Sequence, residues 1–341
     1  MMKDIKILIF ALFINLQLNG QDFIITQSYN NRILTNPAFT GYEENVYRLS
    51  LMNRAQYITP GIYSFNTLTL DKMLCKPSKN IRIGLGLIAT REEQGDGFLK
   101  TINCGGLLAF HEEINKFWTL SLGMQLSGIY QSVDWSKFVF SDQITHLGID
   151  KDKLSANAAL NRNVGYMGLD FNTGILIKGK SRKNNLDRRF VFGISFYHLS
   201  KPNIGLLNDH SIPIRSNVHS GVIWKADNYE HHLACGWIQQ DNFIFQTFNI
   251  NYKVIYKQKV IGGIGLRDNI NSYFSNNTLF IPFIIGFEKK YNKKPLRVTF
   301  SYDLNVGGLV GPYGIFELSI VAAFNSNCSN SKSKELKCVD F

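Results

Sequence analysis

Segments of about ten residues, rich in aromatic and β-branched side chains and each bounded by Asn, Asp, Gly or Lys clusters, recur from residue 46 to residue 324. That recurrence leaves the backbone few ways to fold. No apolar stretch in this region approaches the ~20 residues a spanning helix requires. Tilted strands cross a bilayer in about ten residues, and they must close on one another, because lipid offers no partner to a free N–H or C=O. Alternation is clearest near the end, where Phe316, Leu318, Ile320, Ala322 and Phe324 share one face and Glu317 and Ser319 the other. The first set is expected to face lipid. Tyr63, Phe65, Thr67 and Thr69 alternate in the same way with Ser64, Asn66, Leu68 and Leu70, and Phe243, Phe245, Thr247 and Asn249 again share a face. The pattern predicts strands near 46–54, 61–71, 81–90, 97–111, 117–134, 166–178, 189–200, 215–225, 231–240, 243–253, 259–268, 279–291, 296–304 and 314–324. This is an even set, as single-chain bacterial barrels have. The expected fold is all-β, a transmembrane antiparallel β-barrel of about 14 strands of the outer-membrane type.

The first twenty residues have the layout of a secretory signal peptide: Lys3 and Lys6, an apolar run over 7–16, then Leu18, Asn19 and Gly20 before the polar Gln21. Cleavage is expected after Gly20. The run is too short for a spanning anchor, and no Cys follows it closely, which disfavours a lipoprotein. The expected organisation is a signal peptide over 1–20, an extended segment over 21–45, the barrel over 46–324 and a polar periplasmic tail over 325–341. With 13% aromatic and 18% charged residues the chain is too rich in Phe and Tyr to be disordered, and no Ser/Gly/Pro linker precedes residue 325. A formal charge of +11 suits anionic lipid or an acidic partner; a secreted chain argues against nucleic acid. Five cysteines show no metal-ligand spacing. Cys328 and Cys338 form the close pair, and both a bridge and two free thiols stay open for them. Cys104 and Cys235 fall in strand-like segments, where buried or lipid-facing thiols are expected.

With a periplasmic amino terminus, connections after odd-numbered strands face outward and those after even-numbered strands face the periplasm, where such barrels keep short turns. The longest connection, about 135–165, follows the fifth strand, while 112–116 and 292–295 follow even strands. The short Asp241-Asn242 connection falls on the outer side. Basic residues collect on the even connections: Lys72, Lys76 and Lys79; Lys178, Lys180, Arg182, Lys183, Arg188 and Arg189; Lys253, Lys257 and Lys259; Lys289, Lys290, Lys293 and Lys294. Solvated turns that discourage stray strand pairing explain them; so does a docking surface for periplasmic partners, with Lys180, Arg182, Lys183, Arg188 and Arg189 as its candidates. Glycines inside strands, among them Gly84, Gly86, Gly105, Gly106, Gly262, Gly263 and Gly265, suit bends and close packing in a barrel wall. As phosphate loops, GLGL and GGIGL lack a Lys and a following helix.

No Ser, His or Asp lies in a recognisable nucleophile motif, and neither a catalytic residue nor a cofactor is expected. His231 and His232 are neighbours on a strand and point to opposite faces, so they are poorly placed to share a metal. His198 is expected to order a strand end or a lumen network. The pairs Glu43-Glu44, Glu92-Glu93 and Glu112-Glu113 read as solvated loop ends. Asp134-Trp135 forms a corner, and Trp135, Trp224 and Trp237 suit an interfacial girdle. The turn-rich segment around Asn36-Pro37 either plugs the lumen or docks a partner.

Residues 27–41 read QSYNNRILTNPAFTG, residues 51–57 LMNRAQY, residues 120–143 LSLGMQLSGIYQSVDWSKFVFSDQ and residues 194–202 ISFYHLSKP; FSYDLN and FELSIVAAF close the chain. In this order the blocks resemble the PorP/SprF family of outer-membrane proteins of type IX secretion and gliding in Bacteroidota. Gln27, Asn36, Pro37, Ala38 and Gly41 occupy the positions of its amino-terminal pattern, with Phe39 where Tyr is usual. Arg54 and Gln56 match a second block, in which Asn53 lies inside the motif and Tyr57 replaces Trp. Asp134, Trp135, His198 and Pro202 match further positions, and Cys338-Val339 stands for the usual Cys-Pro. The resemblance implies a non-enzymatic barrel that assists export or surface attachment of a particular secreted protein or adhesin. Its implied partners are outer-membrane lipid, the type IX machinery, and cargo with a type B carboxy-terminal sorting domain. The reading weighed against it is an outer-membrane pore for passive or selective solute uptake.

Overall fold

The computed structural model of the chain describes residues 22–43, 46–57, 61–74, 81–95, 99–146, 148–150, 152–153, 155–156, 165–183, 186–203, 211–271, 276–291, 294–307 and 314–325. The signal-peptide reading, the tail with Cys328 and Cys338, Lys76, Lys79, Lys293 and the side chains of Arg182 and Lys183 lie outside what is described. The strands are β1 (Val46–Tyr57), β2 (Ile62–Met73), β3 (Ile81–Gln94), β4 (Leu99–Glu113), β5 (Trp118–Val133), β6 (Ile144–Thr145), β7 (Gly148–Ile149), β8 (Gly165–Lys183), β9 (Leu186–Tyr197), β10 (Arg215–Ala226), β11 (Tyr229–Gln240), β12 (Phe245–Tyr256), β13 (Val260–Asn271), β14 (Asn276–Tyr291), β15 (Lys294–Gly307) and β16 (Ile315–Asn325). β6 and β7 pair as a small hairpin within the connection after β5. The other 14 strands form one closed barrel in which each pairs antiparallel with its neighbours in sequence. β1 closes the ring against β16, from Val46↔Asn325 to Gln56↔Ile315.

The expected all-β barrel is therefore the fold, and each expected strand has its counterpart. Two boundaries differ for a local reason. β9 ends at Tyr197 because His198 takes a left-handed φ of 61°. β12 starts at Phe245 because Asp241, Asn242 and Phe243 all have positive φ and make the turn.

Burial is inverted relative to a soluble sheet. Glu317 and Ser319 are fully buried while Leu318 and Phe324 are exposed; Thr67 and Thr69 point in while Leu68 and Leu70 point out. The outward row meets lipid, and its few polar groups pair with each other, as Asn53 Nδ2 does in donating to Asn66 Oδ1 (2.7 Å). Cys104 and Cys235 lie on this outward face, Cys235 Sγ 2.9 Å from Ser220 Oγ. Aromatic rings gather at both ends of the outer wall, as such barrels require: Trp224 stacks on His231 (5.0 Å) near the β10–β11 turn, and Trp237 on Phe248 (5.9 Å) near the β11–β12 turn.

One rim carries the start of β1, the end of β16, the ends of β2, β4, β8, β10, β12 and β14 and the starts of β3, β5, β9, β11, β13 and β15. This is the turn rim. The opposite, loop rim carries the end of β5, the start of β8, the end of β9 and the start of β10. The basic residues expected in turns lie mostly on strand ends. Two belong to the interior: Lys253 is buried with its Nζ 3.6 Å from the centre of the Tyr29 ring, and Lys178 Nζ sits 3.7 Å from that of Tyr42. The charge seen in sequence as a rim is thus partly lumenal, because both lysines occupy inward positions of their strands. The glutamate pairs are also corrected. Glu92-Glu93 and Glu112-Glu113 lie on β3 and β4, Glu113 pairs with Arg82, and Glu43 is buried.

Candidate functional site

The lumen is filled by residues 22–43. This segment has little regular structure of its own, two single 3₁₀ turns at Arg32–Leu34 and Pro37–Phe39, so its backbone groups depend on the wall. It enters at the loop rim. There the Asp22 N–H donates to Gln240 Oε1 (3.0 Å), and the Asp22 carboxylate lies 2.8 Å from His198 Nε2 and 3.2 Å from Arg215 Nη1. Phe23 stacks on Phe65 at 3.6 Å.

Below this latch the wall supplies what the segment lacks. Thr26 and Gln27 donate their N–H groups to the two oxygens of Glu317 (2.8 and 2.9 Å), and the Thr26 hydroxyl donates to Asp303 (2.5 Å). The Gln27 amide donates to Ser301 Oγ (2.9 Å) and to the Glu317 carbonyl (3.0 Å). Arg54 balances Glu317 at 2.8 Å, and Arg267 balances Asp303 at 2.7 Å. Buried charges persist only when paired in this way. Further along, Arg32 and Arg48 converge on Glu43 (2.8 and 3.2 Å). Ile33 and Leu34 pack with Met52, Phe65, Ile88 and Leu107 of the inner wall, and Ala38, Phe39 and Tyr42 with Leu176 and Val191.

The NPAFTG stretch runs along wall glycines. Asn36 caps the second turn by accepting the Ala38 N–H (2.8 Å), while its amide donates to the Ile175 and Ile194 carbonyls (3.0 and 3.2 Å). A Cβ added to Gly174 would stand 2.1 Å from Asn36 Oδ1; at Gly123, 2.2 Å from the Ala38 nitrogen; at Gly84, 2.0 Å from the Thr40 carbonyl oxygen. These glycines make the room in which the segment lies. His111 Nε2 donates to that same Thr40 carbonyl (2.8 Å), which leaves Nδ1 to accept from Ser121 (2.7 Å). Gly41 leaves the track with φ of 63° and its N–H on Asp71 (2.8 Å).

At the latch both ring nitrogens of His198 face carboxylates, Asp22 on Nε2 and Asp170 on Nδ1 (3.1 Å), so the imidazolium can donate to both. Burial alone would lower the His198 pKa; Asp22 and Asp170 together outweigh it and hold the group up to about 9. Burial alone would likewise raise Asp22, and His198 with Arg215 drives it well below the usual carboxylate range.

Of the motif residues noted in sequence, Gln27, Asn36, Pro37, Gly41, Arg54, Gln56 and His198 come together in or at the mouth of this lumen; Gln56 Oε1 accepts from Arg54 (3.1 Å). Asp134 and Trp135 do not. They sit on the connection after β5, where Trp135 packs with Phe138 (5.5 Å) and Phe140 (6.4 Å). Pro202 lies in the connection after β9, its carbonyl accepting the Ile212 N–H (3.0 Å). Lys180, Arg188 and Arg189 stand at the turn-rim ends of β8 and β9, with Arg189 on Asp187 (3.2 Å). Sequence reasoning missed Asp22, Glu43, Asp303, His111 and the glycine track. Alternation alone would have put Asp303 inside. Among the described residues no group of His, Cys, Asp and Glu is arranged to hold a metal ion.

The model of the family described as "Type IX secretion system membrane protein PorP/SprF" matches residues 17–321. The chain belongs to the PorP/SprF family. It is an outer-membrane β-barrel of type IX secretion, and no catalytic family is indicated for it. No curated protein matches it in sequence. Among solved structures, the Pseudomonas putida toluene transporter TodX is similar with a TM-score of 0.50 at 10% identity, over 87% of this chain and 94% of TodX. CdiB from Acinetobacter baumannii gives 0.45 at 9% identity over 82% of this chain and spans further, since only 60% of CdiB is covered. At such identities the TodX likeness shows the barrel fold alone.

Proposed function

We propose that this PorP/SprF barrel works by binding rather than by conduction or catalysis, assisting export or surface attachment of one particular secreted protein or adhesin with a type B carboxy-terminal sorting domain. The observation that carries this reading is the filled lumen. Residues 22–43 occupy it from the loop rim to the turn rim, and two spaces beside them among the described residues are about 80 Å³ each, lined by residues such as Tyr29 and His219 in one and Asp22 and Asp170 in the other. Such spaces hold a few waters, not a solute in transit. What is left for a partner is the two rims. With the short turns periplasmic, as in other barrels of this kind, the loop rim meets cargo. The turn rim, with Lys180, Arg182, Lys183, Arg188 and Arg189, meets the machinery. The lipid-facing wall holds the assembly in the membrane.

Deleting the gene and comparing surface-exposed proteins tests this directly. Loss of one specific surface protein, with general secretion intact, is the expected result. Unchanged surface proteins together with impaired solute uptake would favour a pore instead, for which the polar inner wall around Ser301, Thr299 and Thr247 is suited once residues 22–43 withdraw.

A further inference from the structure

β8 outlasts its neighbour at the loop rim. Its ladder with β5 runs to Ser132↔Gly165, but its ladder with β9 stops at Thr173↔Phe196. The HLS sequence of residues 198–200 builds the break. His198 turns with its left-handed φ and gives its N–H to Asn172 Oδ1 (2.7 Å). Leu199 N–H then donates to the Phe171 carbonyl (3.0 Å), and the Ser200 hydroxyl accepts the Phe171 N–H (3.1 Å) and donates to the Leu169 carbonyl (2.9 Å).

Beyond that point the β9 side of β8 is open. Alternate residues of a strand turn their N–H and C=O to the same side, so the bonds made by Phe171 and Leu169 place Met167 on that side too. Among the described residues no hydrogen bond engages the Leu169 N–H or the Met167 N–H and C=O. The two side chains stand on the outward face and are 69% and 80% exposed, Met167 more than any other large apolar side chain described. A strand edge of this kind, apolar and at the lip of a membrane barrel, is a template for another strand.

We propose that the open edge of β8 over Met167 and Leu169 is the docking site for an extended segment of the secreted partner. That segment adds antiparallel to β8 in the place a longer β9 would fill. It carries an apolar side chain at every second position, to lie beside Met167 and Leu169, and its main chain supplies the missing hydrogen bonds. The site continues the barrel's own β8–β9 ladder and adjoins the Asp22–His198 latch, so its occupant also touches the mouth of the filled lumen. The proposal rests on the docking reading above.

Two measurements test it. Amide hydrogen exchange on the purified barrel in detergent should be fast at Met167 and Leu169 and slow at Tyr166 and Gly168, whose amides face β5; slow exchange at all four would mean that the chain or a second copy already covers the edge, and would overturn the proposal. In cells, Met167→Pro removes an N–H on the open side and leaves the β5 ladder intact. With the variant barrel inserted at the parental level, judged by heat-modifiable migration, it should lose the surface protein that gene deletion also removes; a parental level of that protein would overturn the proposal. Should the proline variant fail to insert, Met167→Lys with Leu169→Lys keeps the backbone, discourages strand addition, and is read in the same way. If deletion itself removes no surface protein, the docking reading fails and the edge is judged by exchange in native membranes. Protection of Met167 relative to the purified barrel then supports the site, and equally fast exchange overturns it.

Discussion

Glu317 shows how much of the lumen depends on single side chains. It accepts the backbone N–H groups of Thr26 and Gln27, 291 and 290 residues away, and balances Arg54, with no exposure to solvent. Removing one partner of a buried pair costs about 3–5 kcal/mol, because the other charge is left uncompensated. Glu317→Ala should therefore lower the urea midpoint at which the barrel loses its fast-migrating form on unheated gels, and adding Arg54→Met should recover part of the loss. His198 gives a second prediction, in pH. Its folded pKa is raised from 6.5 to about 9, so its contribution to the latch is complete below 6.5 and lost as pH climbs through about 9. Asp22 is depressed below 3.8, so its contribution is complete above that value and fades in stronger acid. Protection factors of the amides at residues 23–25 should be highest between about 4 and 6.5 and fall toward pH 9 and beyond; His198→Gln should abolish the alkaline loss. At this scale Glu317 was legible as an inward residue because alternation is local. Its partners were not, since nothing in residues 314–324 tells which distant segment enters the lumen.

Among the elements, the segment 22–43 and the glycine track define each other. A methyl group at Gly123 would meet the Ala38 nitrogen at 2.2 Å, a separation no side chain adopts, and that nitrogen belongs to main chain that gives way only by moving the segment. Gly123→Ala should leave the strands paired, as heat-modifiable migration will report, and loosen the segment. In planar bilayers the parental barrel should be silent and the variant should show channel openings. The strands themselves were readable because a period of two is written in consecutive residues such as Phe316 to Phe324. The end of β9 was not, because Asn172 and Phe171 of another strand fix the turn at His198. The glutamate pairs misled for the opposite reason: Glu92 and Glu113 look like loop charges, yet they lie in the last residues of β3 and β4. Gly84 reads only as a wall residue until the segment it accommodates is placed.

For the molecule as a whole, one ring of 14 strands removes almost every edge, the inner face is polar, and the amino-terminal segment completes it as a core completes a soluble domain. The same arrangement explains the positive charge: part of it serves the lumen through Lys178, Lys253, Arg54 and Arg267, and only the remainder is free for the turn rim. The proposed binding at the rims rests on that filled interior, so the position of the segment is what most needs measurement. Asn30 and Thr299 meet side chain to side chain at 2.6 Å across the lumen, with no strand pairing between them. Cysteines placed at these two positions in whole cells, treated with a short thiol-specific cross-linker and digested for mass spectrometry, should yield a joined peptide containing residues 30 and 299. Absence of that species, while cysteines at Asn53 and Asn66 on adjacent strands of the same barrel are joined, would contradict the account.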